Sequence, residues 1–399
     1  MKIIFLNMSS QFEWDKGFSN RNRCLLNEIS KRDDVEEILS VDFMPHNLRG
    51  MIRLYIKGKI YEKIGKNIIS SGPFYVAKRL NKKIISLSAI HMILVKRVAK
   101  KLGFNNSIII NYNPLDISYF KYFKNNKKYF DAVDNWSENN TFENKKETLL
   151  NNYIYIILNS EYIFTRPERL KNDLIKIAYC HKKTDTTMTC ENPKDNILIT
   201  FNGVDLDHYK NPKNIERINN VFKEINSKYK KIIGYVGVIK EDRIDSDLLE
   251  YLVNENNDKM FIMAGTIAGK FNVERFNKYE NIKFLGDMSY DEISAVSQKF
   301  DICIIPHLLN EFIKSMDPMK LYGYLASGKP VVSVNVPGVE KFTYIIKIAN
   351  SKEEFSNFIN EIANNNECFT EEKILERQDS VKEFSWKAKS EEIMKIINS

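Results

Sequence analysis

Short apolar runs recur along the second half of the chain, and each is long enough for one buried β-strand. They span residues 232–236, 259–264, 282–285, 301–305 and 330–334. Each run starts about 20–30 residues after the one before it, which leaves room for one helix between neighbours. This spacing predicts successive βαβ units and therefore a parallel, doubly wound sheet.

A second series of strand-like runs occupies the first half of the chain. These runs span residues 2–6, 37–41, 107–111, 129–133, 154–159 and 197–201. At 399 residues the chain is longer than one hydrophobic core ordinarily serves, so two domains are expected. We predict an α/β fold of two doubly wound domains that face a cleft, with ligands at the carboxyl ends of the strands.

Residues 49–102 concentrate positive charge. They contain fourteen lysines and arginines against one acidic residue, Glu62, in a chain whose formal net charge is +8. Aromatic and aliphatic residues such as Tyr55 and Phe74 are interleaved with the cations. Stretches of this kind dock on anionic membranes or bind nucleic acid, or else form a solvated helix face. Because no nucleic-acid motif accompanies the charge, we expect membrane docking and no nucleic-acid partner.

The sequence also predicts where the protein works. No apolar run approaches the roughly 20 residues that span a bilayer. Residues 1–10 resemble a buried strand more than a signal peptide. The five cysteines are dispersed and include no C-x-x-C pair, which indicates a reducing compartment. We expect a cytoplasmic protein, peripheral on the inner face of the cell membrane.

Residues 316–338, MDPMKLYGYLASGKPVVSVNVPG, are the most informative stretch for function. Asp317 suits an N-cap and Pro318 suits the first helical position, so a helix is predicted over residues 319–327. A helix start offers free N–H groups and a positive dipole end, and Lys320 adds an ammonium. Together these features predict a phosphate site.

Four stretches carry a family resemblance. They are DPMKLYGYLASGKPVVS (317–333), NGVDLDHY (202–209), IIGYVGVIKEDRID (232–245) and YFDAVDNWS (129–137). The first resembles the donor signature DPxKxYEYLAxGkPVV of nucleotide-sugar glycosyltransferases with two Rossmann-like domains, the B fold. The others resemble the crossover into the donor domain, its first strand with a glycine loop, and an acceptor-domain element. The likeness is to bacterial surface-polysaccharide transferases of the family-4 type and xanthan-type glucuronosyltransferases.

The resemblance implies a glycosyltransferase that moves a sugar from a nucleotide-sugar donor to a lipid-linked or other glycan acceptor. The process would be biosynthesis of cell-surface polysaccharide in a bacterial cell envelope. The implied domains are an acceptor-binding domain at 1–208, a donor-binding domain at 209–375, and a C-terminal helix at 376–399 that packs back on the first domain. The nucleotide sugar is then a substrate, and no cofactor is expected.

The donor diphosphate is assigned to the helix start at Pro318 and Met319 and to Lys320, which would stabilise the leaving group. Further donor-side residues follow predicted strands or lie beside this helix start; they are Gly237, Lys240, Arg243, Gly265, His307, Asp317 and Tyr322. Trp14, Gly17 and Arg21, around the loop after the first strand, are assigned to the acceptor side.

Asp134 follows the predicted strand 129–133, and we assign it as the catalytic base on the acceptor hydroxyl. Asp131 is the alternative carboxylate, and a turn or helix cap is the alternative role for Asp134. The letters Asp245-Ser246-Asp247 match a D-x-D metal motif, but their place after the glycine loop favours a helix start. We therefore predict metal-independent transfer.

Gly323 departs from the family pattern, which places there a glutamate that binds the ribose of the nucleotide. Its absence removes a charge-assisted hydrogen bond of about 1.5–3 kcal/mol. A glycine leaves room for a bulkier donor or for another side chain. It also motivates an alternative function, a non-catalytic B-fold partner subunit of an active transferase. A nucleotide-sugar 2-epimerase is a further alternative, disfavoured because a soluble substrate gives residues 49–102 no purpose.

Overall fold

The computed structural model describes residues 1–15, 19–43, 62–65, 67–71, 87–182 and 196–399. The chain forms two compact units. The first comprises Met1–Thr200 together with Ile393–Ser399, and the second comprises Phe201–Glu392.

The first unit is built on an eight-stranded sheet. Its strands are β1 (Lys2–Leu6), β2 (Glu37–Val41), β3 (Glu62–Lys63), β4 (Ile68–Ser71), β5 (Ile108–Asn111), β6 (Lys128–Asp131), β7 (Tyr162–Thr165) and β8 (Ile197–Ile199). Its helices are α1 (Gln11–Asp15), α2 (Arg21–Ile29), α3 (Leu87–Lys101), α4 (Ser118–Tyr122), α5 (Lys146–Asn159) and α6 (Glu168–Lys182). The strand order is β3-β4-β2-β1-β5-β6-β7-β8, and every pairing is parallel except that of β3 with β4.

The second unit is built on a six-stranded, wholly parallel sheet in the order β11-β10-β9-β12-β13-β14. Its strands are β9 (Ile232–Val236), β10 (Met260–Ala264), β11 (Ile282–Gly286), β12 (Ile302–Ile305), β13 (Val331–Val334) and β14 (Lys347–Ala349). The helices that start in it are α7 (Leu206–Lys210), α8 (Glu216–Lys228), α9 (Ser246–Glu255), α10 (Tyr290–Lys299), α11 (Met319–Ala326), α12 (Lys352–Asn364), α13 (Glu371–Asp379) and α14 (Trp386–Asn398).

The central strands of the second sheet are buried on both faces. In β12, Cys303 and Ile305 pack into one hydrophobic core, whereas Ile302 and Ile304 pack into another on the opposite face. A parallel strand covered by helices on both sides needs such a continuous apolar run. The doubly wound α/β fold predicted from the spacing of these runs is confirmed.

The boundary between the units lies at Thr200 rather than after residue 208. The backbone N–H of Asn202 donates to the Asp317 carboxylate at 2.8 Å, which ties it to the second unit. At Gly203 an added Cβ would lie 2.7 Å from the Trp386 ring, so the start of α14 packs in the same unit. The end of α14 belongs to the first unit, where the Tyr129 hydroxyl donates to the Ile397 carbonyl at 3.4 Å.

One predicted strand is wrong. Residues 154–159 form the end of helix α5, and the strand of this region is β7, which the sequence analysis missed. Tyr153, Ile156 and Ile157 are buried while Tyr155 is exposed. An apolar run of this length fits a buried strand or a buried helix equally well, so its periodicity could not decide between them.

Candidate functional site

The strand order of the second sheet reverses direction between β9 and β12. From β9 the sheet extends to β10 and β11 on one side, and to β12, β13 and β14 on the other. In open α/β sheets, ligands bind at the carboxyl ends of the strands beside such a switch point. Gly237 directly follows β9, and His307 lies two residues after the end of β12. Two residues assigned from the sequence therefore lie at the switch point.

Glycines bring the loops after β9 and β10 into backbone contact. Gly237 and Gly265 have φ angles of +132° and +137°. The Gly237 N–H donates to the Ala264 carbonyl at 2.9 Å. A Cβ added at Gly265 would lie 2.1 Å from the Gly237 carbonyl oxygen. Only glycine fits this conformation and this approach, so the edge of the site is formed by main chain.

Helix α11 begins at Met319, with Pro318 at the N-cap position and no side chain capping it. Asp317 was predicted to be the cap, and that prediction is wrong because its carboxylate bonds elsewhere. Among the described residues, no acceptor is found for the N–H groups of Met319 and Lys320. The first turn of α11 therefore keeps two donors and its positive dipole end for a ligand.

Lys320 points from this first turn towards the ends of β9 and β12. Its Nζ lies 3.2 Å from Nε2 of His307 and 4.9 Å from the centroid of the Tyr235 ring. A Cβ added at Gly237 would lie 3.2 Å from the Lys320 Cε. Burial and then the nearby Arg243 guanidinium lower the pKa of Lys320 to about 7. An anion at this position would reverse that shift, because it favours the ammonium form.

Arg243 and Lys240 lie in the loop after β9, as predicted, but in different surroundings. Lys240 forms an ion pair with Asp242. The Arg243 guanidinium lies 6.0 Å from the centroid of the Phe312 ring. The backbone carbonyl of Arg243 accepts from the Leu308 N–H at 2.8 Å. Arg243 is thus the cation of this loop whose charge acts on Lys320.

Asp317 and Tyr322, both assigned to the donor, belong to a buried cluster instead. The Tyr322 hydroxyl lies 2.9 Å from each carboxylate oxygen of Asp317. Asn202 binds Asp317 through its backbone N–H at 2.8 Å, and its side-chain amide donates to the Asp317 carbonyl at 2.7 Å. Lys341, which the sequence analysis missed, donates to the Tyr322 hydroxyl at 2.7 Å. This cluster fixes the residues that precede α11.

The space that a side chain would take at Gly323 is filled by Tyr209. A Cβ added at Gly323 would lie 2.7 Å from Cζ and 2.9 Å from the hydroxyl oxygen of Tyr209. Tyr209 lies in α7 and is the last residue of the NGVDLDHY stretch, and its carbonyl accepts from the Gln298 amide at 2.7 Å. Of the two possibilities raised by the sequence, the second is observed, since another side chain occupies the gap.

Asp134 lies in the first unit, three residues after the end of β6. It is half-buried, and its carbonyl accepts from the Tyr153 hydroxyl at 3.2 Å. The neighbouring Asn135, rather than Asp134, caps the 3₁₀ turn Trp136–Glu138. The capping role considered as an alternative for Asp134 therefore falls to the next residue.

Asp131, the alternative base, is enclosed by two guanidinium groups. Arg21 Nε lies 2.8 Å from one carboxylate oxygen of Asp131, and Arg166 Nη2 binds the other. Arg21 also donates to Thr200 Oγ1 at 2.7 Å, and the side chains of Arg21, Asp131 and Arg166 are at most 1% exposed. Arg21 therefore lies in the interior rather than on the acceptor side. No sequence signal pointed to Arg166, because its partner Asp131 is distant in the chain.

Of the other two residues assigned to the acceptor side, the structure describes only Trp14. Trp14 is buried, and its carbonyl accepts from Arg23 Nη1 at 2.7 Å. Gly17 lies outside the described residues. Most of the basic segment 49–102 is outside them as well, but Lys96, Arg97, Lys100 and Lys101 are exposed on α3.

Asp245 acts as a helix cap, as its position predicted. Its carboxylate accepts from the N–H groups of Asp247 and Leu248 at 3.0 and 2.9 Å, at the start of α9. Asp247 forms an ion pair with Arg275 at 2.6 Å. No group of three or more His, Cys, Asp or Glu side chains that could hold a metal ion occurs in the described part of the chain. None of the helices described there is long and apolar enough to cross a membrane.

Most of the second unit resembles a known protein family. Residues 230–365 match the family described as glycosyl transferases group 1. The second unit is thus similar to glycosyl transferases of group 1. The matched residues include Gly237, Gly265, His307 and Lys320, so the switch-point site lies inside the matched region.

The chain is also similar to the putative teichuronic acid biosynthesis glycosyltransferase TuaH of Bacillus subtilis (strain 168). The two are 24% identical over 165 residues, which are 41% of this chain and 40% of that protein. The match thus spans less than half of the relative's length. The resemblance to glycosyltransferases of surface polysaccharides, inferred from the four sequence stretches, is confirmed at this level.

Solved structures extend the similarity to the whole chain. Anabaena HepE, in complex with UDP and glucose, has a TM-score of 0.67 at 14% identity, over 100% of this chain and 99% of its own. Sucrose-phosphate synthase from Thermosynechococcus elongatus has a TM-score of 0.68 at 13% identity, over 100% and 98%. At these identities the likeness establishes the fold, the glycosyltransferase B fold with two Rossmann-like domains that the sequence predicted.

Proposed function

We propose that this protein transfers a sugar from a nucleotide-sugar donor to a glycan acceptor during cell-surface polysaccharide biosynthesis. The observation that carries the proposal is the switch-point site of the second unit. There the first turn of α11, Lys320 and the glycine loop after β9 meet.

The chemistry of this site suits a diphosphate. The leaving group of a nucleotide sugar is an anion, and transfer requires that its developing charge be stabilised. The N–H groups of Met319 and Lys320 and the Lys320 ammonium supply donors of the right sign. Gly237 lets main chain approach the same point without a side chain intervening. Because these groups neutralise the diphosphate, the proposal includes transfer without a metal ion.

Two observations support the proposed acceptor: the name of the relative TuaH and the basic residues of the first unit. The name of TuaH refers to biosynthesis of teichuronic acid. We propose a glycan acceptor, lipid-linked in the membrane, and a cytoplasmic protein held on anionic lipid through residues 49–102. The exposed Lys96, Arg97, Lys100 and Lys101 on α3 support this docking, since each cation near such a surface contributes about 1 kcal/mol.

Replacing Lys320 by methionine is expected to weaken binding of UDP or GDP by about 10- to 100-fold. The substitution removes the ammonium but keeps an unbranched side chain that suits a helix. Isothermal titration calorimetry measures the affinity, and a thermal shift assay with the same nucleotides checks folding. The matched control is Lys223→Met on α8, an exposed lysine whose loss should leave nucleotide affinity unchanged. Absence of any nucleotide-induced thermal shift in the unmodified protein would contradict the proposed function.

Replacing Asp134 by asparagine is expected to lower the turnover of sugar transfer by about 10²- to 10⁴-fold, the contribution of a general base. Donor affinity should stay the same, because Asp134 belongs to the first unit and the donor site to the second. Product formation with candidate donors and membrane-extracted acceptors measures the turnover. Equal turnover in both proteins would remove Asp134 from the mechanism. Nucleotide binding without transfer to any acceptor would favour the non-catalytic subunit.

A further inference from the structure

Two basic nitrogens meet inside the donor site. The Nζ atom of Lys320 lies 3.2 Å from Nε2 of His307, within hydrogen-bond distance. Two protonated nitrogens cannot share such a contact, because neither has a lone pair to accept the other's hydrogen. One of the two side chains must therefore be neutral at this position. If His307 is neutral, its Nε2 accepts from the Lys320 ammonium.

The surroundings favour a neutral His307. The imidazole is 3% exposed, and burial, followed by the charges of Lys320 and Arg243, lowers its pKa well below the ordinary value. Lys320 faces the Tyr235 ring on β9, His307 after β12 and Arg243 in the loop after β9. Burial and Arg243 lower the pKa of Lys320 to about 7, and among the described residues no carboxylate offsets them. Lys320 therefore loses its proton more readily than an ordinary lysine until an anion binds beside it.

The main chain around His307 holds the ring in place. His307 forms an antiparallel bridge with Ile244. The Asp245 N–H donates to the Pro306 carbonyl at 2.9 Å, and the Leu308 N–H donates to the Arg243 carbonyl at 2.8 Å. Because both neighbours of His307 are bonded to the loop after β9, the main chain that carries the imidazole is held in place. The contact of its Nε2 is with Lys320 Nζ.

We infer that His307 is a positioning residue, which orients Lys320 by accepting its hydrogen bond at Nε2, and that donor binding adds one proton to Lys320. This inference rests on the proposed function of the same site. The added proton comes from solvent and bonds to the free lone pair of the neutral Lys320 amine. The resulting ammonium donates one hydrogen to His307 Nε2 and the remaining hydrogens towards the diphosphate. The hydrogen of neutral His307 is then on Nδ1.

Donor affinity is expected to fall as the pH rises. Below about pH 7 Lys320 already carries its proton, so binding takes up none and affinity is highest. Above that pH the protein must take up a proton to bind, and affinity falls by up to tenfold per pH unit. A nucleotide sugar is a suitable probe because its diphosphate is esterified at both ends and does not titrate in this range.

Calorimetric titration with UDP-glucose and with GDP-mannose, from about pH 6 to about pH 9, tests the inference. Repeating each titration in two buffers of different ionisation enthalpy gives the number of protons taken up. The unmodified protein should take up close to one proton per ligand in the alkaline part of the range. Its affinity should fall by up to tenfold per pH unit in that part.

Two variants separate positioning from folding. His307→Gln keeps an acceptor near the Nε2 position and should retain both the affinity and its pH dependence. His307→Leu removes the acceptor, which destabilises the ammonium, so affinity should fall by about tenfold at about pH 6 and begin its pH-dependent decline at lower pH. Thermal unfolding of both variants identifies a loss of fold, and the glutamine variant preserves the test if leucine is not tolerated.

The outcomes are distinguishable. Binding of a nucleotide sugar with no proton uptake and no pH dependence would overturn the inference and leave the proposed function standing. An unshifted pH profile in a folded leucine variant would also overturn it, because a merely structural histidine gives that result. No binding of either nucleotide sugar at any pH would overturn the proposed function itself.

Discussion

Replacing Asp131 by asparagine is expected to destabilise the first unit by about 3–5 kcal/mol, since it leaves buried charges uncompensated. The carboxylate is 1% exposed and lies between Arg21 and Arg166, whose side chains are fully buried. Asparagine keeps the shape but not the charge, so the two guanidinium groups would lose their shared counter-ion. The Tyr112 hydroxyl, whose pKa burial and Asp131 raise well above its ordinary value, would exchange a charged acceptor for a neutral one.

Differential scanning calorimetry measures this effect as a lower melting temperature of the first unit, by on the order of 10 °C. The matched control is Asp173→Asn, which breaks the Arg169–Asp173 pair on α6, where Arg169 is 44% exposed. An exposed helix pair of this kind contributes about 0.3–0.5 kcal/mol. Similar melting temperatures for the two variants would show that the buried triad contributes no more than a surface pair.

Replacing Gly265 by alanine is expected to damage both stability and donor binding. The new methyl would lie 2.1 Å from the Gly237 carbonyl oxygen. The φ angle of residue 265, +137°, is essentially restricted to glycine. Backbone strain and overpacking each contribute about 1–3 kcal/mol. The loop that carries Gly237 would have to move away, and a shift of about 1 Å in a site can cost about 100-fold in activity.

Gly286→Ala is the matched control for this substitution. Gly286 also has a positive φ, +71°, but an added Cβ there meets nothing within 4 Å. It should cost about 1–2 kcal/mol of backbone energy without changing nucleotide affinity. Thermal unfolding and nucleotide titration of both variants measure the difference. Equal affinities in the two variants would mean that the contact between the β9 and β10 loops does not shape the site.

Much of the secondary structure could be predicted because burial leaves a strong local signal. The bounds of β1, β2 and β9 match the predicted runs 2–6, 37–41 and 232–236. Each is a short apolar run with polar or charged neighbours, and such a run has few other ways to bury its side chains. The strand predicted at 154–159 was wrong because its apolar residues form the buried face of a helix instead.

The proposed phosphate site could be predicted from one continuous stretch. A proline near a helix start, a lysine in its first turn and a glycine that ends the helix are all local features of residues 316–338. Helix α11 indeed begins at Met319, and Gly328 has a φ of +72° after its end. The cap was assigned wrongly: Pro318 occupies that position, and the Asp317 carboxylate binds Asn202 and Tyr322 instead.

The sequence by itself determined the alternation of strands and helices, the doubly wound class, and the helix start that suits a phosphate. These depend on interactions between residues close together in the chain. The tertiary structure alone decided that Lys320 faces His307, that Tyr209 fills the space at Gly323, and that Arg21 and Asp131 are buried against each other although 110 residues apart. Such partners are set by the order in which strands join a sheet. Burial of the side chains then shifts their pKa values and so decides which of them are charged.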